Sequence, residues 1–74
     1  MQSYRIVVVI EKDSDGYFAS CPRLQGCYTQ GDTYEETLDN VRDAILLVLE
    51  DMKGRGETLP STEGVSLTTL EVAV

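Results

Sequence analysis

The segment YRIVVVIEK, residues 4–12, is apolar on both faces of the strand that it would form. Successive side chains of a strand point to opposite faces, and a strand that is apolar on both faces is normally covered on both. The chain has one long amphipathic segment, so its single helix can cover only one face. We therefore expect the other face to meet a second copy or another protein. The residues expected on the helix face are Ile6, Val8 and Ile10, and those on the other face are Val7 and Val9.

Turn signals divide the rest of the chain into short elements. DSDG and PRLQG contain the Asp, Gly and Pro residues that favour turns, and a Gly/Ser/Thr/Pro-rich linker follows the amphipathic segment. The 74 residues predict one α+β domain, 1–74, with the order β-β-β-α-β: a three-stranded antiparallel sheet plus a C-terminal strand, with one helix packed on one face. The predicted strands cover 4–12, 17–21, 27–30 and 66–74, the helix about 34–53, and the linker 54–64.

The helix carries start and stop signals. Thr33 is expected to accept a hydrogen bond from the backbone N–H three residues on, while Glu36 reaches back to the backbone of Thr33, as in a capping box. Lys53 suits the negative end of the helix dipole, and Gly54 is the expected C-terminal cap. The apolar stripe expected to face the sheet consists of Leu38, Val41, Ile45, Val48, Leu49 and Met52.

Apolar residues outside this packing predict a dimer or a higher oligomer. Leu46 and Leu47 widen the apolar surface of the helix beyond what one sheet contact uses. The last strand follows a helix and a long linker, so it would either pair in parallel with the first strand or cross to a second chain. The residues expected at an oligomer interface are Val7, Val9, Leu46, Leu47, Leu70 and Val72.

The side chains of this sequence do not favour catalysis or metal binding. The chain has no histidine and two cysteines, Cys21 and Cys27, so it lacks a four-ligand zinc set and a histidine base for a nucleophile. The cysteines are expected to be small buried residues, with a disulfide as the alternative. The carboxylates at turns and at the helix start have structural reasons to be there, and no phosphate-binding loop occurs. We therefore expect no enzymatic activity, cofactor or metal. A metal-dependent hydrolase that uses these carboxylates is an alternative hypothesis.

The charge of the chain favours a basic protein partner. With 13 acidic and 6 basic residues the net charge is −7, which repels phosphate backbones and argues against direct nucleic-acid binding. No apolar run is long enough to span a membrane and no signal peptide is visible, so we expect a reducing cytoplasm. The residues expected to contact a partner are Glu11, Asp13, Asp15, Tyr17 and Tyr28.

The sequence from Ile10 to Ile45, IEKDSDGYFASCPRLQGCYTQGDTYEETLDNVRDAI, resembles the HicB-like antitoxin family. The family pattern is an acidic turn with Gly and an aromatic residue, then Pro-x-Leu-x-Gly-Cys, a short strand, Gly-Asp-Thr and an amphipathic helix. The matching residues are Ile10, Glu11, Asp13, Gly16, Tyr17, Pro22, Leu24, Gly26, Cys27, Gly31, Asp32, Thr33 and Glu36.

The resemblance implies a partial ribonuclease-H-like fold without nuclease activity. It also implies a protein that blocks HicA, a small basic toxin that cleaves RNA and has a fold similar to double-stranded-RNA-binding domains. Members often carry a C-terminal helix-turn-helix or ribbon-helix-helix domain, and we expect none in these 74 residues. The alternative is a structural or ligand-sensing homo-oligomer that has no toxin partner.

Overall fold

Three antiparallel strands and one helix make up the regular structure in the computed structural model, which describes residues 3–60, 66 and 68–74. The strands lie in the order β1-β2-β3, so each pairs with its neighbour in sequence. This arrangement confirms the α+β class, the three-stranded antiparallel sheet and the single long helix. The elements are β1 (Val9–Asp13), β2 (Gly16–Ser20), β3 (Tyr28–Gly31) and α1 (Tyr34–Gly54).

The register of the sheet decides which side chains face the helix. Ile10 lies opposite Ala19, and Ala19 lies opposite Thr29, so these three share the face that α1 covers. Ala19 is completely buried there. The residues between them point to the other side, which no helix or strand of the described chain covers. This open face consists of Val9, Glu11, Phe18, Ser20, Tyr28 and Gln30.

The core lies between the sheet and α1. Its buried residues come from β2, from the loop between β2 and β3, and from the helix. Leu24 is buried although it belongs to the loop, because the loop folds back over the end of the sheet. The predicted apolar stripe is confirmed in its main contacts. The buried cluster is Ala19, Cys21, Leu24, Cys27 and Val41, and Ile6, Val8, Ile10, Ala44, Ile45, Val48, Leu49 and Met52 pack against it.

The two ends of α1 are capped, with two corrections to the sequence prediction. Thr33 is the N-cap, and its Oγ1 accepts from the backbone N–H of Glu36 at 3.0 Å, as expected. The Glu36 carboxylate, however, accepts from the backbone N–H of Asp32 at 3.3 Å rather than from that of Thr33. At the other end the helix includes Gly54, and the cap glycine is Gly56, with φ of +74°.

The C-terminal cap is of the Schellman type, which explains the choice of Gly56. The backbone N–H of Gly56 donates to Lys53 O at 3.1 Å, and that of Glu57 donates to Met52 O at 2.9 Å. A residue in the left-handed region is needed at this point, and glycine adopts it without a steric penalty. Gly54 has no positive φ and continues the helix.

The first strand is shorter than predicted, and the last one is absent from the described residues. β1 begins at Val9 rather than at residue 4 because its partner β2 ends at Ser20, where the chain turns away into a loop. The segment 5–8 therefore has no partner strand in the described part of the chain. Residues 66 and 68–74 form no strand, so the predicted strand over 66–74, whose residue 67 lies outside the described residues, is not confirmed. Kinship with the ribonuclease H fold stays a prediction. In the described residues no helix is both long and apolar enough to cross a bilayer.

Candidate protein-binding surface

The open face of the sheet exposes two aromatic rings that stack on each other. Phe18 on β2 and Tyr28 on β3 have ring centroids 6.1 Å apart and an interplanar angle of 27°. They occupy diagonal positions on adjacent strands, which long side chains can bridge. Tyr28 is 64% exposed and Phe18 37%. Exposed aromatic rings that lie together mark a surface suited to protein contact.

Carboxylates border this aromatic pair. Glu11 lies directly opposite Phe18 in the β1–β2 ladder and is exposed. Asp13 and Asp15 lie at the hairpin turn, where the backbone N–H of Asp15 donates to Asp13 Oδ1 at 2.8 Å. This bond fixes the turn, so the Asp13 carboxylate is partly structural, whereas no described contact engages the Asp15 carboxylate. A shallow groove at this end of the sheet is lined by Glu11, Asp13, Asp15 and Phe18 among other residues.

One residue of the predicted contact set lies on the opposite side of the sheet. Tyr17 faces the start of α1, where its ring meets the Tyr34 ring edge-on with centroids 6.1 Å apart. The Lys12 ammonium lies 5.8 Å from the centre of the same ring, on the same side of the sheet. Tyr17 is accordingly half-buried. The structure thus brings Glu11 and Tyr28 together on the open face, with Asp13 and Asp15 at its edge, and separates Tyr17 from them.

Phe18 is the surface residue that the sequence reading did not select. The pleat alternation contained the signal, because Tyr17 and Phe18 are adjacent and must point to opposite sides of a strand. Ala19 is buried under the helix and pairs with Ile10, which places Tyr17 on the helix face and Phe18 on the open face. If Ala19 is assigned to the helix face, Phe18 rather than Tyr17 is predicted to lie on the open face.

The residues predicted for an oligomer interface fall on three separate parts of the molecule. Val7 and Val9 are half-buried and are not among the side chains that pack against the core. Leu46 and Leu47 are exposed on α1, at 52% and 69%. The C-terminal residues of this set, Leu70 and Val72, are exposed at 80% and 74%.

The two cysteines form a buried thiol pair rather than a disulfide. Both are free, and Cys27 Sγ donates to Cys21 Sγ at 3.3 Å. The backbone N–H of Cys21 donates to Cys27 O at 3.0 Å, so the loop between them closes on itself around the buried Leu24. No three Cys, Asp or Glu side chains of the described residues converge as metal ligands do. The pair therefore holds the loop in place from inside the core.

The thiol pair predicts an alkaline loss of stability. Burial, with help from the neighbouring Cys27 thiol, raises the pKa of Cys21 from 9.0 to about 12. Because the folded chain keeps a proton that the unfolded chain releases from about pH 9, the free energy of unfolding should fall as pH rises from about 9 to 12. Urea unfolding at pH 7, 9 and 10.5 measures this.

The same environment should make the thiols unreactive in the folded chain. The thiolate is the reacting species, and a buried protonated thiol supplies little of it. Alkylation of the native protein at pH 8 should therefore be at least about 100-fold slower than in 8 M urea. Equal rates in the two conditions would contradict the buried thiol pair.

Comparison with known proteins identifies relatives over nearly the whole chain. A family model described as the HicB-like antitoxin of bacterial toxin–antitoxin systems matches residues 4–72. A UPF0150 protein of Helicobacter pylori is 43% identical over 68 residues, covering 92% of this chain and 94% of its own. The UPF0150 protein ssr1765 of Synechocystis is 41% identical, covering 84% and 80%. The Thermoplasma acidophilum protein Ta0767 is 38% identical, covering 86% and 94%. No solved structure matches the chain significantly.

Proposed function

Because the chain belongs to the HicB-like antitoxin family, we propose that it is a cytoplasmic, non-enzymatic antitoxin that neutralises a small basic RNA-cleaving toxin by direct contact. The resemblance found in the sequence implies a HicA-like partner, and family membership supports a role in a toxin–antitoxin system. The chain itself would bind no nucleic acid, because its net charge is −7.

The observation that carries this proposal is the open face of the sheet. Two stacked aromatic rings supply large, rigid contact area of the kind that dominates binding energy at protein interfaces. Glu11 beside them and Asp15 at the hairpin supply negative charge at the border of the same surface. An apolar centre with an acidic border suits a basic protein, because the charges speed association and the rings hold the complex.

The chemistry also suggests how binding would silence the toxin. A protein that cleaves RNA must present Lys and Arg side chains to the phosphate backbone. Carboxylates at the border of the open face would bind the same cations, so toxin bound to this chain could not bind RNA at the same time. Such neutralisation requires no catalytic group on the antitoxin.

The proposal is tested by identifying what the chain binds in its own cells. We would isolate the tagged full chain from cytoplasm and identify the co-purifying proteins by mass spectrometry. A basic protein of similar size, present in equimolar amount and able to cleave RNA once separated, is the expected result. Recovery of the bait alone, as a homo-oligomer, would contradict the antitoxin function and favour a structural or ligand-sensing role instead.

Charge reversal on the open face should weaken the complex mainly by slowing its formation. We expect the double variant E11K/D15K to reduce affinity for the basic partner by about 10-fold to 100-fold at low salt, and by less at 0.5 M salt. Both side chains are exposed, so the fold should be unaffected. Surface plasmon resonance at two salt concentrations measures both rate constants.

A matched control is available on the helix. Asp43 is an exposed acid on α1, on the opposite side of the molecule from the open face, so D43K changes the total charge without touching the surface. It should change the affinity by less than about 3-fold. An equal effect of D43K and the double variant, after allowance for the number of charges, would argue for general attraction rather than this surface.

A further inference from the structure

The two cysteines stand directly opposite each other just beyond the β2–β3 ladder. Ser20 pairs with Tyr28 at the end of that ladder, and one further residue on each strand brings Cys21 opposite Cys27. The backbone N–H of Cys21 donates to Cys27 O at 3.0 Å, which continues the ladder to this pair. Opposed residues of antiparallel strands have Cα atoms about 4.5–5.5 Å apart, within the range of about 4.4–6.8 Å that disulfides span. The backbone is therefore spaced for a crosslink.

The side chains of the two cysteines also converge. Their Sγ atoms lie 3.3 Å apart, and both residues are buried on the helix side of the sheet. A disulfide has its sulfurs about 2.0 Å apart, so these two need to approach each other by only about 1 Å. The chain has no other cysteine, so within one molecule each thiol has a single possible partner.

The loop between the cysteines gives a small oxidant a route to the thiols. Of its residues, 22–26, Leu24 is buried and the other four are exposed. The backbone N–H of Leu24 donates to Cys21 O at 3.0 Å, and that of Cys27 donates to Leu24 O at 3.4 Å, which is long for such a bond. A segment with few buried side chains opens locally at much lower cost than the whole domain unfolds. Local opening exposes both thiols to water, where they ionise and react.

We propose that Cys21 and Cys27 form a reversible redox switch, in which a low-molecular-weight disulfide such as glutathione disulfide oxidises the pair to a Cys21–Cys27 disulfide. The thiolate of one cysteine attacks a sulfur of the oxidant, which gives a mixed disulfide and releases one glutathione. The other cysteine then attacks the protein sulfur of the mixed disulfide and releases the second glutathione. Two electrons pass to the oxidant, and the two cysteine protons end on the released thiols. Excess glutathione reverses both steps.

The crosslink stabilises the folded chain because it restricts the unfolded one. A ring that closes residues 21–27 removes conformational freedom from the unfolded chain, which raises the folding equilibrium constant by about 10-fold to 50-fold. The coupling is reciprocal, so the disulfide is harder to reduce in the folded chain than in the unfolded chain by the same factor. The crosslink lies under α1 and away from the open face, so this inference does not depend on the proposed toxin.

Equilibration of the full chain with mixtures of reduced and oxidised glutathione, followed by acid quenching and mass spectrometry, tests the switch. The expected product is lighter by about 2 Da, the mass of two hydrogen atoms, and carries no glutathione. Half-oxidation in native buffer should need about 10-fold to 50-fold less oxidised glutathione, at fixed reduced glutathione, than in concentrated urea. A native chain that stays reduced in mixtures that oxidise the unfolded chain would overturn the proposal. So would a native chain that ends as a mixed disulfide with glutathione.

Urea unfolding of the oxidised chain, with and without dithiothreitol, measures the effect on one and the same polypeptide. The oxidised form should have a folding equilibrium constant about 10-fold to 50-fold larger than the reduced form. It should also lack the alkaline loss of stability expected of the thiols, because a disulfide has no proton to release. Cys27→Ala, which keeps one thiol, should gain no stability from the same oxidation. An oxidised wild-type chain that is no more stable than the reduced one would contradict the switch.

Discussion

Replacing Gly16 by alanine is expected to lower the free energy of unfolding by about 2–5 kcal/mol, because two separate penalties meet at this residue. Gly16 has φ of +139°, a backbone conformation that costs other residues about 1–3 kcal/mol. A Cβ atom there would also lie 2.6 Å from the backbone oxygen of Gly31 on the neighbouring strand. A domain of this length has only about 4–11 kcal/mol of stability in total, so the substitution would remove a large share of that stability.

Urea denaturation followed by circular dichroism measures this change, with Gly54 as the matched control. Gly54 lies in the last turn of α1, its φ is not positive, and an added Cβ would meet no atom within 4 Å. Gly54→Ala should therefore stabilise the chain, by about 0.5–1 kcal/mol. If the two alanine variants were equally stable, the tight packing of the β1–β2 hairpin against Gly31 would be wrong.

Replacing Tyr28 by alanine is expected to weaken binding of the basic toxin by at least about 30-fold, which corresponds to about 2 kcal/mol. Tyr28 is the most exposed aromatic ring of the open face, and Phe18 stacks on it from the neighbouring strand. An aromatic ring that becomes buried at the centre of an interface often carries a large part of the binding energy. Because Tyr28 is 64% exposed in the free chain, its removal should hardly affect folding.

Tyr34 provides the control for this substitution. It is also an exposed tyrosine, at 47%, but its ring contacts Tyr17 on the helix side of the sheet. Tyr34→Ala should leave toxin affinity within about 3-fold of wild type, as measured by isothermal titration calorimetry. If Tyr34→Ala were the damaging variant and Tyr28→Ala were neutral, the binding surface would lie on the helix side.

Local sequence signals were sufficient to predict most of the fold. The turn residues Asp13 and Gly16 delimit the hairpin, and Thr33 begins the helix as its neighbours indicate. The three- and four-residue spacing of apolar residues identified the helix face that meets the sheet. These features depend on residues near one another in sequence, which is why they could be predicted.

The structure differs from the sequence prediction in two kinds of place. In one, the end of an element depends on a contact with a distant segment; in the other, two similar residues could both fill the same position. β1 begins at Val9 because β2 ends opposite it, and strand pairing is a non-local property. Gly54 and Gly56 both offer a helix cap, and only the hydrogen bonds of the final turn select Gly56. The apolar alternation at 66–74 is genuine, but a strand requires a paired neighbour, and the described residues of this segment pair with no strand.

The binding surface was predicted by residue type more accurately than by position. Acidic charge and aromatic content identified the hairpin region, and Glu11 and Tyr28 do share the open face. Tyr17 was placed with them, and Phe18 was overlooked, because the two residues are adjacent and the sheet face that each occupies depends on the register with β1. A one-residue shift along a strand moves a side chain to the opposite face, so a surface cannot be assigned without the register.

The most direct test of the antitoxin function is a titration of toxin-catalysed RNA cleavage with this chain. The co-purified basic protein would be held at fixed concentration with a labelled RNA, and the full chain added in increasing amounts. We expect cleavage to stop as the two proteins approach equimolar amounts, and we expect Tyr28→Ala to require about 30-fold more protein once the toxin concentration lies below the dissociation constant. Cleavage that continues undiminished in a large excess of correctly folded chain would contradict the proposed function.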